Sequence, residues 1–409
     1  MHVAKTQEST RSSRKSAKKP AKAKPTKTTK AAKPAAKTAT TKTKTKKKKK
    51  KKATSVAVFV DDRGEQVLGP FDEATSFADG YAGVRVGDRW GVIDKRGTFV
   101  VEARFASLRE PGSGFVAVRD DSGKAGYFDI ANNRWLVEPR FDYALGFVGD
   151  HACVVMGGEI PDWAAAFQTW PDGGAWGVVD RRGEIVIPID RGQVRVHDGV
   201  AYVNQGGRAS AWGHPVGGAN YFVDLATGMR IGGDYKYASL FGEGLACVQG
   251  SHSDDWRIID RTGSEVGRID PSLTKYAPPE PFSQGHAVLS CTGKTSHRSK
   301  YVLVTTSGAI LADDLGDAHS FCDGMAAVNR GGEKVQGECR KGTWGFLALD
   351  GTFVTRKGWG TAWAFSEGRG KVSGSGGFLV VDRSGETVFT SKTWIAPYSN
   401  GLALVRKPT

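Results

Sequence analysis

Apolar residues fall at every second position in short runs from Val56 to Val405, and turns bearing glycine or aspartate separate the runs. Phe77 to Val100 shows the pattern most plainly. The aromatic Phe77 and an Asp79-Gly80 turn lead into Ala82, Val84 and Val86; Trp90-Gly91-Val92-Ile93-Asp94 follows, then a Lys95-Arg96-Gly97 turn and a third run, Thr98 to Val101. A period of two buries one face of a strand, and Asp/Gly turns between such runs close hairpins, so the stretch predicts three antiparallel strands.

Weaker copies recur almost to the last residue. The aromatic and its turn glycine return as Phe241/Gly244, Phe282/Gly285, Phe321/Gly324, Phe365/Gly368 and Tyr398/Gly401, with looser versions at Gly114, Asp150 and Gly199. A second mark, at the hairpin turn, returns at Asp62/Gly64, Asp94/Gly97, Asp129, Asp180/Gly183, Asp224/Gly228, Asp260/Gly263, Thr305/Gly308, Asp350/Gly351 and Asp382/Gly385. Both series count nine, which predicts an all-β array of about nine three-stranded units, each burying its face on the next.

The ends of the series are out of phase. Val56 to Leu68 supplies a strand and hairpin without the aromatic-turn strand before it, and Tyr398 to Val405 supplies that strand without a hairpin after it. The two halves make one unit, which predicts a closed, propeller-like ring that hides its sheet edges; an open β-solenoid is the alternative. Extra residues enter mainly between the first and second strands of a unit: Met156 to Ala175, Gln205 to Ala219, Gln249 to Asp255, Ser290 to Lys300 and Asn329 to Thr343. Equivalent insertions in an array lie on one face and often build a binding surface. In the first, Pro161-Asp162 predicts a short helix with Trp163, Phe167 and Trp170 along one side; the second adds Trp212 and His214. These five side chains are either a lid packed on the array or anchors for a partner.

Charge divides the chain in two. Residues 1–52 hold 21 of the 58 Lys and Arg and one of the 43 acidic residues, Glu8, for a net +20; the remaining 37 basic and 42 acidic residues leave −5. Lys15 to Thr45 is almost entirely Lys, Ala, Pro and Thr, and Lys46, Lys47, Lys48, Lys49, Lys50, Lys51 and Lys52 form an unbroken run. Such a stretch buries no apolar surface and repels itself, so residues 1–53 are expected to be a disordered polybasic tail and 54–409 the array. In composition the tail resembles those of linker histones and bacterial histone-like proteins, which implies sequence-blind contact with nucleic acid or another polyanion.

The Trp-Gly dipeptide stands at Trp90-Gly91, Trp176-Gly177 and Trp344-Gly345, each followed by an apolar strand and a turn, and this order resembles the bacterial WG-repeat (KWG) family. Other copies have drifted, to Gly126-Tyr127, Tyr221-Phe222, Trp256-Arg257, Tyr301-Val302 and Phe378-Leu379. The resemblance covers residues 56 to 405 and implies a β-rich array that mediates interactions, with no catalytic residues to carry over.

Signals for chemistry are weak. Gly293-Lys294-Thr295 lacks the earlier glycine and the strand-to-helix setting of a phosphate loop. His252, Asp254 and Asp255 share one insertion and read as a solvated polar loop. The turn aspartates Asp94, Asp180, Asp260 and Asp382 read as acceptors for turn amides, and the repeated tryptophans as core. Five cysteines without a C-x-x-C spacing read as reduced structural thiols. No apolar run approaches the roughly 20 residues of a membrane span, and the N-terminus has no apolar core of the signal-peptide kind, which points to a cytoplasmic, nucleoid-associated location. The expectation is a non-enzymatic binding scaffold without cofactor or metal, holding nucleic acid or another polyanion by its tail and a protein by its array. A hydrolase or lyase with a site on one face of the ring is the alternative, and an exported surface-binding protein the second.

Overall fold

The hairpin turns form as their composition dictates. In each Asp-x-x-Gly turn the carboxylate Oδ1 accepts amides two and four residues on: Arg96 and Thr98 onto Asp94, both 2.9 Å, and Arg182 and Glu184 onto Asp180, both 2.9 Å. Asp260 and Asp382 repeat the pattern. In the first unit the acceptor is Asp61, one residue before the expected Asp62, because Gly64 sits three residues after it as the turn requires. These amides would otherwise lose their partners where the strand reverses.

The computed structural model describes residues 55–159, 170–210, 215–250, 255–273, 278–292 and 298–408. The chain divides into Met1–Lys51 and Lys52–Thr409, and every described residue lies in the second part. Among the described residues there are 34 strands, all paired antiparallel, and no helix. The unit read from the sequence is present as Tyr81–Val86, Arg89–Asp94 and Phe99–Phe105 in one sheet.

Three strands per unit needs correcting to four. Glu73–Ala74 pairs with Tyr81–Val86 as a short first strand, and it is the onward course of Gln66–Phe71, the outer strand of the unit before. Ser107–Leu108 and Tyr143–Ala144 do the same. Where that outer strand runs on unbroken, as in Arg230–Ala238 and Ile310–Ala318, consecutive units merge into one sheet. Two insertions expected as loops are likewise strand: Met325–Val335 and Glu338–Ala348 pair through Val335↔Glu338, and His286–Thr292 pairs with Arg298–Thr305 through Thr292↔Ser299.

The Trp-Gly dipeptide has a steric explanation. Trp176 and Trp256 are fully buried and Trp344 nearly so, while Trp90 is half-buried. The glycine lies where the outer strand bulges over it. A Cβ on Gly91 would stand 2.6 Å from the Val101 carbonyl oxygen, on Gly126 2.5 Å from that of Val137, on Gly177 2.7 Å from that of Ile187, and on Gly345 2.4 Å from that of Val354. The register slips there in three of the four. Where Arg257 and Leu379 replace the glycine, the outer strand pairs in unbroken register across them, whereas at Tyr221 and Val302 the register slips without a glycine.

Sheets pack face to face, and alternate residues of one strand go to opposite neighbours. Ser55–Val60 pairs on one side with Gln66–Phe71 and on the other with Ala403–Pro408, so the first and last strands of the array share a sheet. Its Ala57 and Phe59 pack with Phe77, Ala82 and Val84 of the following unit, and Val58 and Val60 with Val380, Ile395 and Tyr398 near the C-terminus.

A second set of contacts joins the aromatic turns. The turn residue at positive φ reaches the backbone of the next turn: Ser113 N–H donates to Asp79, Gly244 to Asp198 at 2.8 Å, Gln284 and Gly285 to Glu243 at 2.6 and 2.8 Å. Gly324 donates to Gln284 at 2.8 Å, Gly368 to Asp323, and Asn400 and Gly401 to Glu367, both at 2.8 Å. Gly80 then donates to Asn400 at 2.5 Å, joining the last turn to the first. Between Ser113 and Asp150 the link is Arg181, which donates to the Ser113 carbonyl at 2.6 Å and pairs with Asp150 at 3.2 Å.

The steric reading of the dipeptide is tested by Gly177→Ala, which should cost about 2–4 kcal/mol in urea unfolding. Gly233→Ala, where a Cβ meets nothing within 4 Å, should stay within about 0.5 kcal/mol. Equal effects would refute it.

Candidate functional site

Of the side chains expected on the insertion-bearing face, Trp170 lies among the described residues; Trp163, Phe167, Trp212 and His214 lie outside them, as do the predicted helix start and Lys46 to Lys52. Trp170 is half-buried and stacks on Trp176, with centroids 5.8 Å apart and planes 22° apart. The Arg195 guanidinium lies 5.4 Å from its centroid. The first two insertions meet through Gly173 N–H donating to Ala209 O at 2.9 Å and an Arg208–Asp172 ion pair at 2.5 Å.

Two insertions leave the array by the same device, which sequence reading missed. Asn204-Gln205-Gly206-Gly207 and Asn329-Arg330-Gly331-Gly332 are the same motif at the same place in their units. Each asparagine is fully buried where the hairpin begins to extend past the sheet, and its Nδ2 donates across the hairpin, to Gly217 O at 2.8 Å and to Lys341 O at 3.3 Å. Glycines crowd each Oδ1: a Cβ would stand 2.4 Å away on Gly207, 2.0 Å on Gly332 and 2.3 Å on Gly342. Each hairpin thus leaves the sheet at a bend where a buried Asn is packed against glycines that have no room for a Cβ. The repeated Asn-x-Gly-Gly was the available signal.

One charged side chain breaks the repeat from inside. The third residue after each turn is Gly83, Ala117, Cys153, Tyr202, Cys247, Val288, Ala327, Lys371 and Leu404 in the nine units, and all are buried. Lys371 Nζ sits 4.6 Å from the Trp363 ring centroid, 4.4 Å from that of Trp394 and 5.6 Å from that of Phe378, and it donates to Ile395 O at 2.8 Å. Burial pushes its ammonium down to about 8. Arg369 and Tyr398 line the cavity of about 10 Å³ beside it. Arg369 pairs outward with Asp62 at 3.4 Å, and Tyr398 donates its hydroxyl to Asp61 O at 2.9 Å.

A further equivalent position lies just beyond the short first strands. Amides of Thr75, Arg109, Leu145, Ser239, Glu280, His319 and Ala396 donate to equivalent carbonyls on the next strand, so these residues hold equivalent places. Glu280 lies within electrostatic reach of Arg195 and of His319. Burial pushes the Arg195 guanidinium and the His319 imidazole down; Glu280 pulls both the other way, as Asp317 does for His319. Among the described residues no three His, Cys, Asp or Glu side chains group as a metal site. Cys153 and Cys247 are buried free thiols, Cys153 pushed up to about 12 by burial, which makes them inert small apolar residues.

Four segments, residues 59–90, 90–123, 126–159 and 176–208, match the family model described as WG containing repeat. They cover less than half of the chain and support a β-repeat protein that carries WG repeats in these segments. No curated protein matches the chain. Similar solved structures include BamB from Moraxella catarrhalis, at 12% identity over 81% of this chain and 83% of that one with a TM-score of 0.32. Hsv2p of Kluyveromyces lactis is 8% identical over 63% and 88%, TM-score 0.35, and the WD40 domain of Toxoplasma gondii coronin 9% identical over 82% and 80%, TM-score 0.33.

Lys371 makes stability depend on pH in the alkaline range. Its folded pKa of about 8 lies below the ordinary 10.5, so the folded state is penalised while both states are protonated, and the penalty fades as pH rises from 8 to 10.5. Lys371→Met should be more stable than the parent by up to about 3 kcal/mol at pH 7, with the two converging by pH 10.5. Denaturant midpoints across that range check it, and a pH-independent difference would refute it.

Proposed function

With WG repeats and an all-β array as the premise, we infer that the protein is a non-enzymatic scaffold: the units close into a propeller-like ring, the basic tail holds nucleic acid or another polyanion, and the insertion-bearing edge holds a protein. The observation that carries the reading is the sheet in which the first strand of the array, Ser55–Val60, pairs with the last, Ala403–Pro408. The turn-to-turn bonds returning from Asn400 to Gly80 support the ring, and so does Glu280 acting on Arg195 from two units away. The asparagine-held hairpins support the edge as the place for a partner, because a pre-set projection spends little conformational entropy on binding.

One observation favours a second reading, a hydrolase or lyase with its site on one face: Glu280 acts electrostatically on both Arg195 and His319, which belong to two other units. Glu280→Gln distinguishes the two, since it would remove a general acid or base and leave scaffold binding unchanged.

Ring closure predicts that a chain ending at Ser399 exposes the free edge of Ser55–Val60; it should unfold without cooperativity or self-associate in size-exclusion chromatography, and a monomer of unchanged stability would exclude closure. For the tail, deleting residues 1–52 should abolish retention on DNA at low salt. If about ten lysines meet phosphates, the intact chain should lose affinity about 10⁵-fold between roughly 50 and 200 mM salt. Equal retention of the truncated chain would exclude the tail as the binding element. Affinity capture with and without nuclease, together with cell fractionation, separates nucleic-acid from protein partners and checks the cytoplasmic, nucleoid-associated location.

A further inference from the structure

Lys371 is the one charged residue at a position that the other eight units fill with small, apolar or tyrosine side chains. No carboxylate faces it. Trp363 pairs with it from the neighbouring strand of its own sheet, Phe378 reaches it from the strand on its other side, and Trp394 and Ile395 come from the segment that leads to the last turn. The charged and titratable groups lining the same cavity are Arg369 and Tyr398, and both are engaged elsewhere.

A cation buried without a counter-ion is costly unless the site gains from the amine itself. Three ring faces and one carbonyl oxygen are suited to holding a positive nitrogen. Two walls are half-buried strand residues, whereas Trp394 is 46% exposed and lies outside any strand. It is the wall that solvent reaches.

We propose that Lys371 is a covalent capture site for small aldehydes, with Trp394 as its lid and the Trp363, Phe378 and Trp394 rings holding the resulting iminium. The Nζ lone pair attacks the carbonyl carbon, a C–N bond forms, and the carbonyl oxygen leaves as water after taking up two protons, one of them from the nitrogen. The protonated imine carries the same charge at the same atom as the lysine it replaces. The ring faces and Ile395 O therefore keep their partner. The cavity of about 10 Å³ that Lys371 lines with Trp363 and Ile395 has room for about one water, the molecule released. Burial supplies the reactive form, since an ammonium pushed down to about 8 leaves far more free amine at neutral pH than an exposed lysine has.

The full-length protein is treated with propanal and sodium cyanoborohydride at neutral pH, and the alkylated lysines are mapped by mass spectrometry. Lys371 should be modified at least tenfold faster than the exposed Lys95 and Lys357, and its labelling should rise with pH toward a midpoint near 8. Trp394→Ala should speed modification of Lys371 while leaving Lys95 and Lys357 as they were. Lys371→Arg should lose that adduct alone, with near-ultraviolet circular dichroism confirming the fold of both variants. Labelling of Lys371 at or below the rate of Lys95 and Lys357 would overturn the proposal. Fast labelling confined to Trp394→Ala would overturn it too, because the native lid would then seal the amine from aldehydes.

Discussion

A β-strand with one bare edge leaves a row of amides and carbonyls that must find partners, and here that requirement falls on Ser55–Val60. Within its own stretch of chain it has Gln66–Phe71 on one side only; Ala403–Pro408 supplies the other. The demand extends to the side chains. Ala57 and Phe59 are buried toward the following unit, while Val58 and Val60 are buried among residues beyond 379, so neither face is complete until the last strand arrives. Every other unit is built from consecutive residues and makes its pairings locally. This sheet alone joins opposite ends of the array, at the largest loop-closure cost in the molecule.

The turn bonds and the hydrophobic clusters each join neighbouring units. Packed sheets fix how far apart units stand, and the side chain at each positive-φ turn fixes how one unit is rotated on the next. Different residues do this work, Asp79, Asp198, Glu243, Gln284, Asp323, Glu367 and Asn400. What they share is an oxygen acceptor at a length that reaches the neighbouring amide. The glutamates span two amides and the shorter Asp and Asn side chains one.

Turn chemistry and strand period were legible because both are local: an Asp-x-x-Gly turn or an alternating run is decided within a few residues, and nine rough copies reinforce each other. The short first strands were not, since two residues such as Glu73–Ala74 carry no period and take their pairing from the unit ahead. The turn-to-turn acceptors were hidden for a related reason. Their chemistry varies from Asp to Gln, so the shared place directly before each turn glycine carried no signal of a common role until the positive φ and the bonds were seen. The asparagines at 204 and 329 stood in the sequence as a repeated Asn-x-Gly-Gly, overlooked because the glycines there read as ordinary turn residues. Among the insertion aromatics, Trp170 shows how context decides: helical spacing placed it on a face with Trp163 and Phe167, and the structure sets it against Trp176.

Lys371 illustrates what a repeat reveals that a single domain conceals. In an irregular protein a buried lysine would be compared with nothing, and its three aromatic neighbours would read as a cage of ordinary cation–π contacts. Here eight equivalent positions show what packing alone selects, and the answer is Gly, Ala, Val, Leu, Cys or Tyr. The backbone at this place accepts any of these, so strain does not demand a lysine. Packing does not demand one either, because neighbouring units fill the same gap with neutral side chains. The cage must in turn be shaped around the amine, for Trp394 and Ile395 O turn toward a nitrogen that an aliphatic side chain would not offer. Position and surroundings thus depart from the repeat together, in the unit that packs against Val58 and Val60 of the first strand. A residue kept for stability alone would not be a buried cation lacking a carboxylate.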